Sequence, residues 1–173
     1  RLTSPEREQR VFPPASQAEL PAYVKLVNPS APERSVMRRS LLASSLEILE
    51  KNARLRERLA FFELGPVFLP VAGEKYPQEL RKLVISMSGK CQLPAWDKPE
   101  AGNMDFYDLK GILESLFHAL HLENVAYQPA QHASMHPGKC AQVSVGDQVV
   151  AVFGEIHPLV KQNYDFLQPE VLA

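Results

Sequence analysis

The chain has 173 residues, 45% hydrophobic and 23% charged, with a formal net charge of -1. That balance excludes a global field that would draw nucleic acid or a membrane surface, and no apolar run reaches the ~20 residues a membrane span needs. The two cysteines, Cys91 and Cys140, fit neither a CxxC motif nor a zinc spacing, so reduced thiols are expected.

The size suits one core, so residues 1–173 are expected to form a single domain. The first residue is Arg1 and no signal-peptide pattern opens the chain. We read it as a fragment of a longer, cytoplasmic polypeptide, with 1–22 a truncated lead-in. Fifteen prolines punctuate short elements.

Leu2-Thr3 reads as the tail of a strand, and Ser4-Pro5-Glu6 as a helix start with a hydroxyl cap, proline and acid. Tyr23–Val27 alternates and predicts a strand, ended by Asn28-Pro29. A helix is predicted from Arg34 to Ala53. Leu42, Leu46, Leu49 and Ala53 make its apolar stripe, widened by Leu41 and Ile48. From Arg34 to Arg58 there are seven basic and three acidic residues. Lys51, Arg54, Arg56 and Arg58 lie where cations suit the helix dipole, so the excess reads first as a solvated face and second as an RNA or partner contact.

Leu59–Leu69 predicts a strand pair or a kinked strand. Pro66 cannot donate to a ladder, so Gly65-Pro66 marks a bulge or an edge. Glu63 is either the wet face of that strand or a buried carboxylate with a partner, and alternation favours the wet face. Lys82–Ser88 predicts a strand with Leu83, Ile85 and Met87 on one face and Val84, Ser86 and Ser88 on the other, one face being wet. Residues 89–104 read as a loop in which Trp96 plugs a core edge.

Asp105–Leu122 predicts the second helix, capped by Asp105 and striped by Phe106, Leu109, Leu113, Leu116, Phe117 and Leu120. Gly111 inside it suggests close approach by another backbone. His118 and His121 read as surface residues. Val125–Gln128 predicts a strand, and Gln131–His136 a loop. Lys139–Val145 and Gln148–Gly154 predict a hairpin around Gly146-Asp147. His157-Pro158 opens a short helix to about Phe166, and the chain ends in or before another strand. The tally is α+β: an antiparallel sheet with helices mainly on one face.

Five motifs follow one another in this order. They are Ser35-Val-Met-Arg-Arg-Ser-Leu-Leu42, Phe62-Glu-Leu-Gly-Pro-Val-Phe68, Asp105-Phe-Tyr-Asp-Leu-Lys-Gly111, His136-Pro-Gly-Lys-Cys-Ala141 and Gly154-Glu-Ile-His-Pro158. In that order and at those gaps, over roughly residues 24–168, the chain resembles the catalytic-like core module of the bacterial phenylalanyl-tRNA synthetase beta subunit. It departs from the family at Arg39, Ala43 and Pro66, where threonine, proline and a basic residue are usual.

The resemblance implies a class II aminoacyl-tRNA synthetase-like fold, an antiparallel sheet flanked by helices, that has lost catalysis. It implies an alpha-subunit partner in an (αβ)2 enzyme and contact with tRNA(Phe) through the full beta chain. It places phenylalanine, ATP and magnesium in the alpha subunit and implies no cofactor in this fragment. Class II chemistry needs an arginine after the first helix, reaching the α-phosphate from a strand–loop–strand, and another opening a glycine-rich helix. Arg54, Arg56 and Arg58 precede the strand and no GxGxxR-type run occurs, so no catalytic, cofactor-binding or metal residue is assigned.

Two other readings compete. One is a small metal-dependent hydrolase using His132, His136 and His157 with Glu155; the spacing of His132 and His136 is i,i+4, but the HExxH glutamate is missing. The other is an RNA-binding module using the basic segment Arg34–Arg58, which lacks stacking aromatics.

Overall fold

The structure, a computed structural model, describes residues 2–14, 22–93, 95–97 and 102–173. Pro21, Pro94 and Pro99, used above as punctuation, lie outside these residues.

The lead-in forms β1 (Leu2–Thr3) and α1 (Pro5–Gln9), the latter capped by Ser4, whose hydroxyl accepts the Arg7 N–H. β2 (Val36–Met37) pairs antiparallel with β1. This corrects the helix start at Arg34. Pro32–Arg34 is one 3-10 turn, and α2 runs only over Leu42–Ala53. The β-branched Val36 is drawn into pairing, and Ser40 restarts the chain as a helix by accepting the Leu42 N–H. The strand expected at Tyr23–Val27 is reduced to a single bridge, Lys25 to Val36, and Val27 is exposed.

The main sheet has the order β3-β4-β8-β7-β6-β5, antiparallel throughout. Its strands are β3 (Arg58–Leu69), β4 (Gln78–Gly89), β5 (Val125–Pro129), β6 (Met135–Val145), β7 (Gln148–Ile156) and β8 (Val171–Leu172). β3 pairs with β4 without interruption from Arg58↔Gly89 to Leu69↔Gln78. Gly65-Pro66 therefore breaks nothing. Pro66 is tolerated because β3 is the sheet edge and its missing donor faces no neighbour. The β6–β7 hairpin turns at Gly146-Asp147 as expected.

The helices pack on both faces, not mainly on one. α2 lies against the face carrying Leu59, Cys140, Ile156 and Val171. α3 (Phe106–Ala119) lies against the opposite face, with Met87, Ala141, Val143, Phe153 and Leu172. A strand's alternate residues belong to opposite faces, and β8 demonstrates it: Val171 joins one core and Leu172 the other.

Double coverage also corrects the wet face of β4. Ser86 and Ser88 are buried, and the Ser86 hydroxyl meets that of Ser45 on α2 at 2.6 Å. Phe61 packs under α2, whereas its neighbour Phe62 points the other way and is 72% exposed. α3 starts with a capping box between Asp105 and Asp108. A Cβ on Gly111 would meet nothing within 4 Å among the described residues, so the close approach expected there is not seen among them. Trp96 is 97% exposed and plugs nothing among the described residues. α4 (Pro158–Lys161) is shorter than expected. No helix among the described residues is long and apolar enough to cross a membrane.

Candidate functional site

The motifs meet in pairs, and each pair forms a joint. Arg38, 4% exposed, runs from the segment before α2 onto β3. Its guanidinium donates to the Glu63 carboxylate at 2.5 Å and to the Pro66 carbonyl at 2.8 Å, while the Phe68 N–H donates to the Arg38 carbonyl at 2.9 Å. Glu63 also accepts from Ser44 of α2 at 3.3 Å. Glu63 is thus a carboxylate with a partner, not the wet face, because that side of β3 looks toward α2. A Cβ on Gly65 would run into the Arg38 guanidinium. The glycine leaves the space that the arginine fills.

The second joint ties β6 to β7. Glu155 accepts from Lys139 at 2.5 Å and from Lys161 of α4 at 3.0 Å. Burial alone would raise the Glu155 carboxyl; the hydrogen bonds and charges of the two lysines overcome it and hold it below the usual carboxylate range. The same hydrogen bond pushes the Lys139 ammonium up. A Cβ on Gly154 would land on the Lys139 carbonyl, which only glycine allows. β6 shifts register between Met135 and Cys140, which is what brings that carbonyl so close.

Beside this joint lies an open cavity of about 810 Å³. Phe106 stacks on Phe153 at 4.9 Å between ring centroids, and Tyr127 meets Phe153 edge-on at 6.2 Å. Lys110 sits 5.2 Å from the Tyr127 ring centroid and 3.1 Å from Glu114. Acid–base chemistry finds little here. Glu155 is a weak base with two ammonium partners, and the Cys140 thiol is pushed up by burial, which lowers its nucleophilicity.

The three histidines of the hydrolase reading are each engaged in a local turn. The Nδ1 atoms of His132, His136 and His157 accept the N–H groups of Ser134, Gly138 and Leu159 at 3.2, 3.0 and 3.1 Å. Burial lowers His132 further. Among the described residues no three His, Cys, Asp or Glu side chains gather in a way that could hold a metal ion. His157 instead caps α4, and Glu155 belongs to the lysines.

The basic segment is dispersed as well. Arg38 is buried, Arg39 donates to the Ala22 carbonyl, Arg54 pairs with Asp165, and Arg58 donates to the Cys91 carbonyl at 3.1 Å. A phosphate-binding face needs free guanidinium groups on one surface, and four of these cations are committed elsewhere. At two of the positions that depart from the family pattern, Ala43 is buried within α2 and the Arg39 backbone N–H donates to Glu8 at 3.2 Å, a bond that does not depend on the side chain.

Reading the motifs one by one did not reveal the joints. The available signal was pairing: an arginine in one motif with a glutamate and a glycine in another, and a glutamate after the glycine of a strand opposite a lysine. The family model for the phenylalanyl tRNA synthetase beta chain CLM domain matches residues 1–173. The phenylalanine–tRNA ligase beta subunit of Geobacillus kaustophilus is 34% identical over 172 residues, covering 98% of this chain and 21% of that protein. That of Moorella thermoacetica is 42% identical over 137 residues, 78% of this chain and 17% of that protein. The chain therefore spans about a fifth of the length of these relatives. Among solved structures, a pyrrolysyl tRNA synthetase, PylSc of Desulfitobacterium hafniense, superimposes with a TM-score of 0.68 at 12% identity, over 99% of this chain and 55% of that one. That likeness gives the class II synthetase fold. With the family model matching the whole chain and a relative 34% identical over 98% of it, the chain belongs to the phenylalanyl-tRNA synthetase beta chain CLM-domain family.

Proposed function

We propose that this chain is a non-catalytic scaffold and interface module of a phenylalanine–tRNA ligase beta subunit. It supports ATP-dependent attachment of phenylalanine to tRNA(Phe) by an alpha/beta enzyme of the cytoplasm. The observation that carries this reading is the commitment of the motif side chains to joints. Arg38, Glu63, Lys139 and Glu155 each hold one element of the fold to another, and His157 caps α4. Side chains so engaged are spent on rigidity, which suits a module that positions others.

In this reading ATP and magnesium are bound by the alpha subunit, and this fragment binds no cofactor. The alpha subunit is the protein partner, and tRNA(Phe) is contacted through the full beta chain. The apolar edge formed by Phe62 and Leu64, 72% and 63% exposed, is a surface suited to protein contact. The test is ATP–pyrophosphate exchange with phenylalanine. The assembled alpha/beta enzyme is expected to catalyse it and the isolated chain is not. Exchange by the isolated chain, free of contaminating enzyme, would overturn the reading.

A further inference from the structure

The motif Asp105–Gly111 opens α3, His136–Ala141 lies on β6, and Gly154–Pro158 runs off the end of β7. Residues of all three line the open cavity of about 810 Å³. That volume falls within the range, roughly 300–1,000 Å³, of sites that hold small organic molecules. Four rings run along it in a connected row. Tyr107 meets Phe106 edge-on at 5.6 Å, Phe106 stacks on Phe153, and Tyr127 meets Phe153 edge-on. Phe153 is 2% exposed, whereas Tyr107 at one end of the row is 73% exposed. So exposed a ring adds little to the core, and its surface is open to another apolar ring.

The charges around this row form two poles. Asp105 caps α3 through Oδ1, and Glu170 accepts from Asn103 through Oε2 at 3.1 Å. Asp105 Oδ2 and Glu170 Oε1 carry no hydrogen bond among the described residues. The other pole is the Lys139 side chain, 53% exposed and bonded to Glu155. Glu155 has a second lysine, Lys161, at 3.0 Å. Lys139 can therefore turn to a further anion without stranding the buried Glu155, which is the costly outcome. The Glu155 hydrogen bond first, and then the charges of Glu155, Glu170 and Asp105, hold Lys139 as a cation. The two poles thus lie within electrostatic reach of each other.

We infer that this cavity binds a free α-amino acid with an aromatic side chain, held as its zwitterion. Lys139 receives the carboxylate, Asp105 and Glu170 receive the ammonium, and the ring lies against Tyr107 and Phe106. Each part of the ligand answers one part of the lining. An amine without a carboxylate would leave Lys139 without a new partner. An acid without an amine would set its charge against Asp105 and Glu170, and an aliphatic side chain would forgo the ring contacts. The inference goes beyond the scaffold reading and does not rest on it. Exchange by the isolated chain would overturn that reading and would not count against this site.

The test uses the assembled full-length enzyme and p-azido-L-phenylalanine as a photoprobe. After irradiation and digestion, label is expected on peptides carrying residues 103–110, 127–129 or 138–141. L-Phenylalanine is expected to displace that label at least ~10-fold more effectively than phenethylamine, which lacks the carboxylate, or 3-phenylpropionate, which lacks the ammonium. With Lys139→Gln the first of these gaps is expected to close, so that L-phenylalanine and phenethylamine compete equally. Label found only outside these peptides would overturn the inference. So would equal displacement by all three compounds in the native enzyme, or a gap that Lys139→Gln leaves unchanged. If Lys139→Gln fails to assemble, Tyr107→Ala provides the check, because that ring lies outside both cores. Its loss is expected to cut labelling of these peptides about 5-fold, and unchanged labelling would overturn the inference.

Discussion

The sheet contains two long hairpins built by different means. β3–β4 pairs along its full length without a shift, whereas β6–β7 shifts register twice, between Met135 and Cys140 and between Val143 and Ser144. The regular hairpin is held by alternation and by α2, and its special residues lie where Arg38 crosses it. The shifted hairpin needs a glycine where two backbones touch and a glutamate shared by two lysines. Irregular pairing concentrates sequence requirements at a few positions; regular pairing spreads them thinly over many.

The largest expected effect tests that contrast. Gly154→Val places a side chain on the Lys139 carbonyl, which is backbone and cannot swing away. A loss of about 3 kcal/mol or more is expected in urea unfolding. If Gly154→Val unfolds with the native midpoint, the close approach is not a constraint.

Next comes the joint on the regular hairpin. Arg38→Met leaves Glu63 partly buried without its cation and is expected to cost about 2 kcal/mol, discounted because the carboxylate is 28% exposed. Gly65→Ala should be damaging with Arg38 present and much milder with Arg38→Met, because the clash is with the guanidinium. Additive losses in the double mutant would break this account.

The Ser45–Ser86 contact comes third. Either serine replaced by alanine strands a buried hydroxyl, at about 1–2 kcal/mol. Replacing both should recover most of that loss. A double mutant worse than the sum of the singles would show that the hydroxyls have other partners.

The shifted hairpin should also respond to acid. Glu155 has a lowered folded pKa, so its contribution is complete above the ordinary carboxylate value of ~4.3 and lost as pH falls through the lower folded value. His132, kept neutral by burial, contributes above its ordinary ~6.5 and loses that contribution as pH falls below it. Unfolding midpoints measured from pH 7.5 downward should flatten in the upper range with His132→Gln and in the lower range with Glu155→Gln. Unchanged slopes would remove these groups from the account.

The smallest effects lie outside both hairpins. Gly111→Ala meets open space in a helix interior and should stabilise by about 0.5–1 kcal/mol. Trp96→Ala should change stability by less than about 0.5 kcal/mol.

The sequence determined much of this by itself. The stripe Leu42, Leu46, Leu49 and Ala53, the Asp105 cap, the Gly146-Asp147 turn and the motif order were all readable, because helix periodicity, capping and turn chemistry act between residues close in the chain. What was misread depended on partners far away in sequence. Ser86 and Ser88 looked wet because nothing local announces a helix covering their face. Glu63 looked solvated because Arg38 lies 25 residues earlier. Trp96 looked like a plug because its apolar area says how much it could bury, not whether anything lies over it. Periodicity tells which side chains share a face. Which faces are covered, and which charges meet across them, is decided only when the whole sheet closes between its helices.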